Sequence, residues 1–197
     1  MKTFVATKNL GKLAEMRDIF AGSAIELDTY PLYTDVEESA DSYVGNARLK
    51  ARALAKQLRE AGIGAAVLAD DSGLEVDALD GRPGIYSARY AGVATPWPDR
   101  REALLGEMRG FPADRRSGRF VCSMVLVLPD GRELDAFGTV EGRLVEEVRG
   151  RFGFGYDPLF VPDGDTRTFA EFPEEEKNRV SHRRRAADAL LAALAAS

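Results

Sequence analysis

Apolar and polar positions alternate along this chain with two periods, and the points where the period changes mark out its elements. Thr3 to Ala6 is a short apolar run that predicts a first strand. A helix follows, with Leu13, Met16 and Phe20 on one face. Ile25 to Leu27 is a weaker second strand. The clearest helix is predicted over 46–61. Ala47, Ala51, Leu54, Ala55, Leu58 and Ala61 form its apolar stripe, Arg48, Arg52, Lys56 and Arg59 its polar one, and Gly62 stands where a left-handed cap belongs. Val67, Leu68 and Ala69 then read as a buried strand that ends at Asp70 and Asp71. Beyond them Leu74, Val76 and Ala78 alternate with Glu75 and Asp77, as in a half-exposed strand.

A helix is expected from about Asp99 to Met108. Arg119 to Leu128 is apolar and β-branched, the pattern of a central strand. Pro129-Asp130-Gly131 turns it back into Glu133 to Val140 as an antiparallel hairpin, so the sheet must be mixed. Leu159 to Val161 continues as a strand, and Ser181 is a plausible N-cap for an alanine- and leucine-rich helix to about Ala195.

The length of 197 residues suits one large domain, or two small lobes around a continuous sheet. A net charge of −5 gives no global field that favours nucleic acid, although local basic residues leave room for a small phosphorylated ligand. The one cysteine, Cys122, lies in an apolar run and reads as a core thiol. Met1-Lys2 leads straight into the first strand with no leader pattern, and no segment approaches the roughly 18 apolar residues of a membrane span. The cytoplasm is the expected compartment.

Chemistry concentrates at a few places. Asp70 and Asp71 stand at an expected strand end, where open α/β sheets commonly bind ligands. Neighbouring strand residues face opposite ways, so the two carboxylates need not share one job. Paired acids there suit a hard cation such as Mg²⁺, and a polar turn after a strand is the plainer alternative. Thr7-Lys8-Asn9-Leu10-Gly11-Lys12 joins a strand to a helix, an arrangement that offers backbone N–H groups to an anion. It is not a P-loop, since Ala6 and Leu13 stand where Gly and Ser or Thr are required. Asp35 to Asp41 is an acidic loop whose charges need solvent or a cation. Phe152-Gly153-Phe154-Gly155-Tyr156-Asp157-Pro158 alternates glycine with aromatic rings, which suits either a planar ligand or a bulged strand with core aromatics. Asn46 stands ready to cap its helix or to reach into a site. Arg183, Arg184 and Arg185 crowd the first turn of the last helix, where the helix dipole disfavours cations. His182 is the only histidine, which rules out a Ser-His-Asp hydrolase that does not use it.

Taken together and in this order, Thr7–Lys12, Asp70-Asp71-Ser72-Gly73-Leu74, Pro83-Gly84-Ile85-Tyr86-Ser87-Ala88-Arg89-Tyr90, Phe154-Gly155-Tyr156-Asp157-Pro158 and Ser181-His182-Arg183 closely resemble the inosine triphosphate pyrophosphatase family. The resemblance runs from about residue 3 to 195. Two features depart from the commonest form: Lys8, where a small residue is frequent, and the extension by Arg184 and Arg185.

The resemblance implies an α/β fold with an elongated, twisted mixed sheet and flanking helices, a single domain over 1–197 whose two lobes enclose a nucleotide cleft. It implies a homodimer that hydrolyses ITP, dITP and XTP to the monophosphate and pyrophosphate with Mg²⁺. Thr7, Lys8, Asn9, Leu10, Gly11 and Lys12 would cradle the triphosphate, and Glu38 and Asp71 would hold the metal. Asp71 also matches the proton acceptor for the attacking water. These roles compete, because a metal-bound carboxylate is a poor base; metal placement and water orientation are favoured, with Asp70 in support. Ser72, Gly155, Tyr156 and Asp157 would touch substrate. Phe154 would stack on the base, and Lys177, His182 and Arg183 would read its 6-oxo edge. Two alternatives remain: a pyrophosphatase for other modified nucleotides, and a non-catalytic nucleotide-binding protein, against which the acidic pair argues.

Overall fold

A computed structural model describes residues 1–197. In chain order the elements are β1 (Lys2–Val5), α1 (Leu10–Ile19), β2 (Glu26–Asp28), α2 (Tyr43–Glu60), β3 (Ala66–Val76), α3 (Trp97–Glu107), β4 (Ser117–Val127), β5 (Glu133–Leu144), β6 (Phe160–Pro162), α4 (Glu174–Val180) and α5 (His182–Ala196). The strands form one six-stranded sheet in the order β2-β1-β3-β4-β5-β6. β1 runs parallel to β2 and β3, while β5 and β6 are antiparallel, so the fold is α/β with a mixed sheet, as the sequence predicts. No helix is long and apolar enough to cross a membrane.

The chain divides into two compact units. The first comprises Met1–Asp71, Cys122–Gly138 and His182–Ser197; the second comprises Ser72–Val121 and Thr139–Ser181. In the first unit the alternation of strand residues sorts the core into two layers. Val5, Leu68, Met124 and Leu126 pack with Leu13, Met16 and Ile19 of α1 and Ala186, Ala187 and Leu190 of α5. Phe4, Val67, Ala69, Val125 and Val127 pack with Ala47, Ala51, Leu54 and Leu58 of α2. Burial on both faces explains why these strands read as near-continuous apolar runs. The alanines of α2 are the small side chains of its buried stripe. Gly62 adopts φ +73° just past its end, as expected of a left-handed cap.

In the second unit Leu74, Val76, Leu104, Met108, Leu144 and Leu159 surround a cluster of aromatic rings. Phe120 meets Phe160 edge-on at 4.8 Å and stacks near Phe169 at 5.9 Å. Arg116 is buried there, its guanidinium donating to the carbonyls of Met108, Leu144 and Val145 at 2.9–3.0 Å.

One expectation fails. The sequence ends a strand at Asp70 and starts another at Leu74, whereas β3 is a single strand of 11 residues with both carboxylates in its middle. Its register explains why they still stand where a neighbouring strand ends. β1 pairs with β3 from Thr3↔Ala66 to Val5↔Leu68 and then stops. Asp70 and Asp71 therefore lie just beyond the carboxyl end of the parallel neighbour, the usual ligand side of such sheets.

Candidate active site

The alternation that sorts the core also separates the two carboxylates. Asp70 follows Leu68 onto the layer of α1 and α5; Asp71 follows Ala69 onto the layer of α2. Each meets a different set of partners, all within the first unit.

Asp70 is held by cations. Lys12 Nζ lies 3.1 Å from its Oδ2, and Arg183 Nε donates to the same oxygen at 3.2 Å. Arg183 also donates through Nη1 to Glu15 Oε2 at 2.8 Å, and its side chain is 2% exposed. Burial alone would raise the pKa of Asp70. The surrounding charges of Lys12, Arg183 and Lys50 outweigh that and hold it far below the usual carboxylate range. Asp70 is thus a permanent anion. α5 brings Arg183 in because it lies directly on β5 at Gly138, where a Cβ would sit 2.3 Å from the Ala186 nitrogen.

Asp71 is treated differently. Its Oδ2 accepts from Asn46 Nδ2 at 3.1 Å, and Lys50 Nζ stands 3.6 Å from its Oδ1. The same ammonium lies 2.6 Å from Glu38 Oε1. Burial dominates here and raises the Asp71 pKa, assisted by Glu38 and opposed by Lys50 and Lys12. Burial also works against the Lys50 ammonium, but Asp71, Asp70 and Glu38 prevail and raise its pKa. Asn46 is pinned from its other side, since its Oδ1 accepts the Ala40 amide at 3.0 Å and thereby ties the acidic loop to α2.

The turn after β1 is exposed at Lys8, Asn9, Leu10 and Gly11. Asn9 caps α1 by accepting the Lys12 amide at 3.1 Å, and Thr7 Oγ1 accepts the Asn9 amide at 3.1 Å. Two of the turn's amides are thus engaged by its own side chains. Lys12, expected on phosphate, has its ammonium on Asp70.

A second group of expected residues sits in the other unit. Asp157 organises it. Its Oδ2 accepts the Phe154 amide at 2.8 Å and Lys177 Nζ at 2.7 Å, and Lys177 in turn lies 4.9 Å from the centre of the Phe154 ring. Gly153 has φ +69°, and a Cβ there would lie 2.2 Å from Asp157 Oδ2. Arg101 of α3 donates to the Gly155 carbonyl at 2.9 Å, and Tyr156 packs edge-on against Trp97 at 5.3 Å. The Tyr156 hydroxyl donates to the Ser87 carbonyl at 3.2 Å. Ser72 is half-buried in β3, and His182 is buried at the start of α5.

Glu38 and Asp71 can serve a metal. They are oxygen donors that already meet at one cation, the Lys50 ammonium. Glu38 Oε1 and Asp71 Oδ1 both lie beside that ammonium, so two carboxylates converge there. That number fits Mg²⁺, which keeps several waters and takes substrate phosphates beside one or two carboxylates.

Sequence patterns overlooked Lys50, Glu15 and Arg101. For Lys50 a signal existed: it lies four residues after Asn46, so two polar side chains share a helix face otherwise made of alanine and leucine. Glu15, between Leu13 and Met16 on the buried side of α1, is a similar misfit.

The family model described as the Ham1 family matches residues 3–193. A dITP/XTP pyrophosphatase of Symbiobacterium thermophilum is 48% identical over 183 residues, 92% of this chain and 89% of its own length. One from Listeria monocytogenes is 44% identical over 185 residues, again 92% and 89%. Among solved structures, a HAM1 protein from Coxiella burnetii superposes with a TM-score of 0.86 at 35% identity and full coverage of both chains.

Proposed function

Because the chain belongs to the Ham1 family, we propose that it clears the nucleotide pool of non-canonical purines by hydrolysing ITP, dITP and XTP to the monophosphate and pyrophosphate. It is a hydrolase of nucleoside triphosphates, as its relatives' name of dITP/XTP pyrophosphatase describes. Water adds at the α-phosphorus, the bond to the α–β bridging oxygen breaks, and pyrophosphate leaves with the electron pair. The water's surplus proton passes to a base or to solvent.

The observation that carries the chemistry is the different partners of adjacent carboxylates: Asp70 lies between the Lys12 and Arg183 cations, and Asp71 meets Asn46 and the Lys50 ammonium that also holds Glu38. Such a pair divides labour. Asp70, with two cations on one oxygen, is a poor proton acceptor and serves as a fixed anion. Asp71, itself held by Asn46, would place the metal with Glu38 and orient the attacking water. When bound, Mg²⁺ would neutralise phosphate charge and lower the pKa of the attacking water. Thr7 to Lys12 would take the triphosphate. Ser72, Gly155, Tyr156 and Asp157 would contact the substrate, Phe154 would stack on the base, and Lys177, His182 and Arg183 would read its 6-oxo edge. Donors there gain a partner from hypoxanthine or xanthine and are stranded by the amino group of adenine. The test is pyrophosphate release from ITP, dITP, XTP, GTP and ATP with and without Mg²⁺. Strong release from the first three, dependent on Mg²⁺, is expected. Equal turnover of ATP would overturn the purine selectivity, and turnover unaffected by chelation would remove the metal.

The aromatic loop supplies a separate prediction. Gly153→Ala forces a Cβ into Asp157 Oδ2, which holds both Phe154 and Lys177. The KM for ITP should rise, with kcat/KM falling by roughly 10²-fold, the loss that a displacement of about 1 Å produces. Steady-state kinetics of the folded variant checks this, and an unchanged KM would dissociate the loop from base binding.

We also assign the protein to a homodimer acting in the cytoplasm. Tyr86 and Val93, 57% and 82% exposed, leave apolar surface on the segment between β3 and α3. Sedimentation at micromolar concentration should give twice the chain mass; a species of only 21.5 kDa would contradict it.

A further inference from the structure

Lys50 occupies the point at which the two carboxylates assigned to the metal meet. Its Nζ is 2.6 Å from Glu38 Oε1 and 3.6 Å from Asp71 Oδ1, on a side chain only 8% exposed. Asn46, one helical turn earlier on α2, holds the other oxygen of Asp71. We propose that Lys50 is a built-in stand-in for the divalent cation: its ammonium holds Glu38 and Asp71 together and must leave that position before a metal ion can bond to both. This inference rests on the assignment of Glu38 and Asp71 to the metal made above.

The physical case is one of occupancy and charge. A hard divalent ion needs oxygen at about 2.0–2.1 Å, closer than an ammonium approaches, and an ion bonded to both carboxylates takes the point that Lys50 now fills. With solvent largely excluded, the repulsion between them is poorly screened. Lysine suits the task because its charge is compact and rides on a flexible four-carbon stem, so the head can swing while α2 stays in place. Arginine, with a planar fork, would tie the pair more rigidly.

Two consequences follow from a tethered competitor. The acid pair is organised before any metal arrives, so folding does not depend on metal. A metal ion arriving alone must expel a cation that is never far away, and its affinity is lowered accordingly. An arriving polyanion that offers the expelled ammonium another partner relieves that penalty, so metal and nucleotide should each strengthen the binding of the other.

The test reads the ammonium itself. In protein labelled with ¹⁵N-lysine, the buried Lys50 ammonium should give a slowly exchanging NMR signal, identified by its loss in Lys50→Met. Adding Mg²⁺ should shift or abolish that signal and leave exposed Lys56 unmoved. In parallel, free Mn²⁺ measured by paramagnetic resonance without nucleotide should show Lys50→Met binding the ion at least about tenfold tighter than the parent, the expected result of removing an adjacent charge at low screening. Lys56→Met, a charge lost from the solvent side of the same helix, should change affinity by less than about twofold. Adding Glu38→Gln to Lys50→Met should cancel the gain. A Lys50 signal that stays fixed while the metal saturates would overturn the exchange and leave the metal assignment standing. No Mn²⁺ binding by parent or variant, with nucleotide or without, would remove the metal assignment and the exchange with it. Should Lys50→Met fail to fold, Lys50→Arg identifies the signal and the titration of the parent decides.

Discussion

Asp71→Asn lowers kcat for ITP by roughly 10²–10⁴-fold while the folded protein still binds nucleotide. The amide keeps the shape and the contact with Asn46 but loses the charge that Glu38 and Lys50 are arranged around. The cost falls on chemistry rather than stability. A carboxylate whose folded pKa is raised, as burial raises that of Asp71, costs stability above that pKa, and the cost is relieved as pH falls through it. Removing the charge relieves that cost but also takes from the buried Lys50 ammonium one of the carboxylates that hold it, so stability at neutral pH should change little. Asp70→Asn should show the reverse balance, because it leaves the Lys12 and Arg183 cations without their shared anion. Rates and urea midpoints for the two variants check the division of labour. Near-normal turnover of Asp71→Asn would take that residue out of the mechanism.

Arg183→Leu costs about 3–5 kcal/mol of stability, the range for breaking a buried ion pair by removing one partner. The guanidinium binds Asp70 and Glu15 at once, and both carboxylates are buried, so leucine takes this cation from Glu15 and leaves Asp70 with Lys12. Adding Glu15→Leu should recover part of the loss, since one stranded carboxylate then disappears; additive losses would show that the pair is not coupled. The acid limb should move as well. Asp70 has a depressed folded pKa, so its contribution to stability is present above the usual carboxylate range and is lost as pH falls through the lower folded value. Without Arg183 that depression shrinks, and the advantage of neutral over acid pH narrows. Urea unfolding at neutral and acid pH measures both effects.

Arg183 also shows which parts of the molecule were legible in the sequence. Helix α2 could be read from its stripe, because Ala47, Ala51, Leu54, Ala55 and Leu58 are all buried. The hairpin of β4 and β5 could be read from its turn, which closes with Gly131 donating to the Leu128 carbonyl. The continuity of β3 could not. Two carboxylates, a serine and a glycine look like a break unless their compensation is known, and that compensation comes from positions 12, 46, 50 and 183, all of them on helices remote in sequence. Two of the arginines that oppose the dipole of α5 find partners that the sequence pattern does not show. Arg183 turns to Asp70 and Glu15, and Arg184 donates to the Ile19 carbonyl and pairs with Asp188. Motif order named candidate residues of the first unit, but neither Lys50 and Glu15 nor which side chains hold one another.

The placement of Cys122 has a practical consequence. It is the only thiol of the chain, wholly buried in the layer between the sheet and helices α1 and α5. A sulfhydryl reagent cannot reach it without parting that layer, so the rate of its modification reports the opening of the structure that carries Asp70 and Arg183. The molecule thus contains a single-site clock for local unfolding. Ligands that steady the charged cluster can be ranked by how far they slow it, with no label introduced and no turnover required.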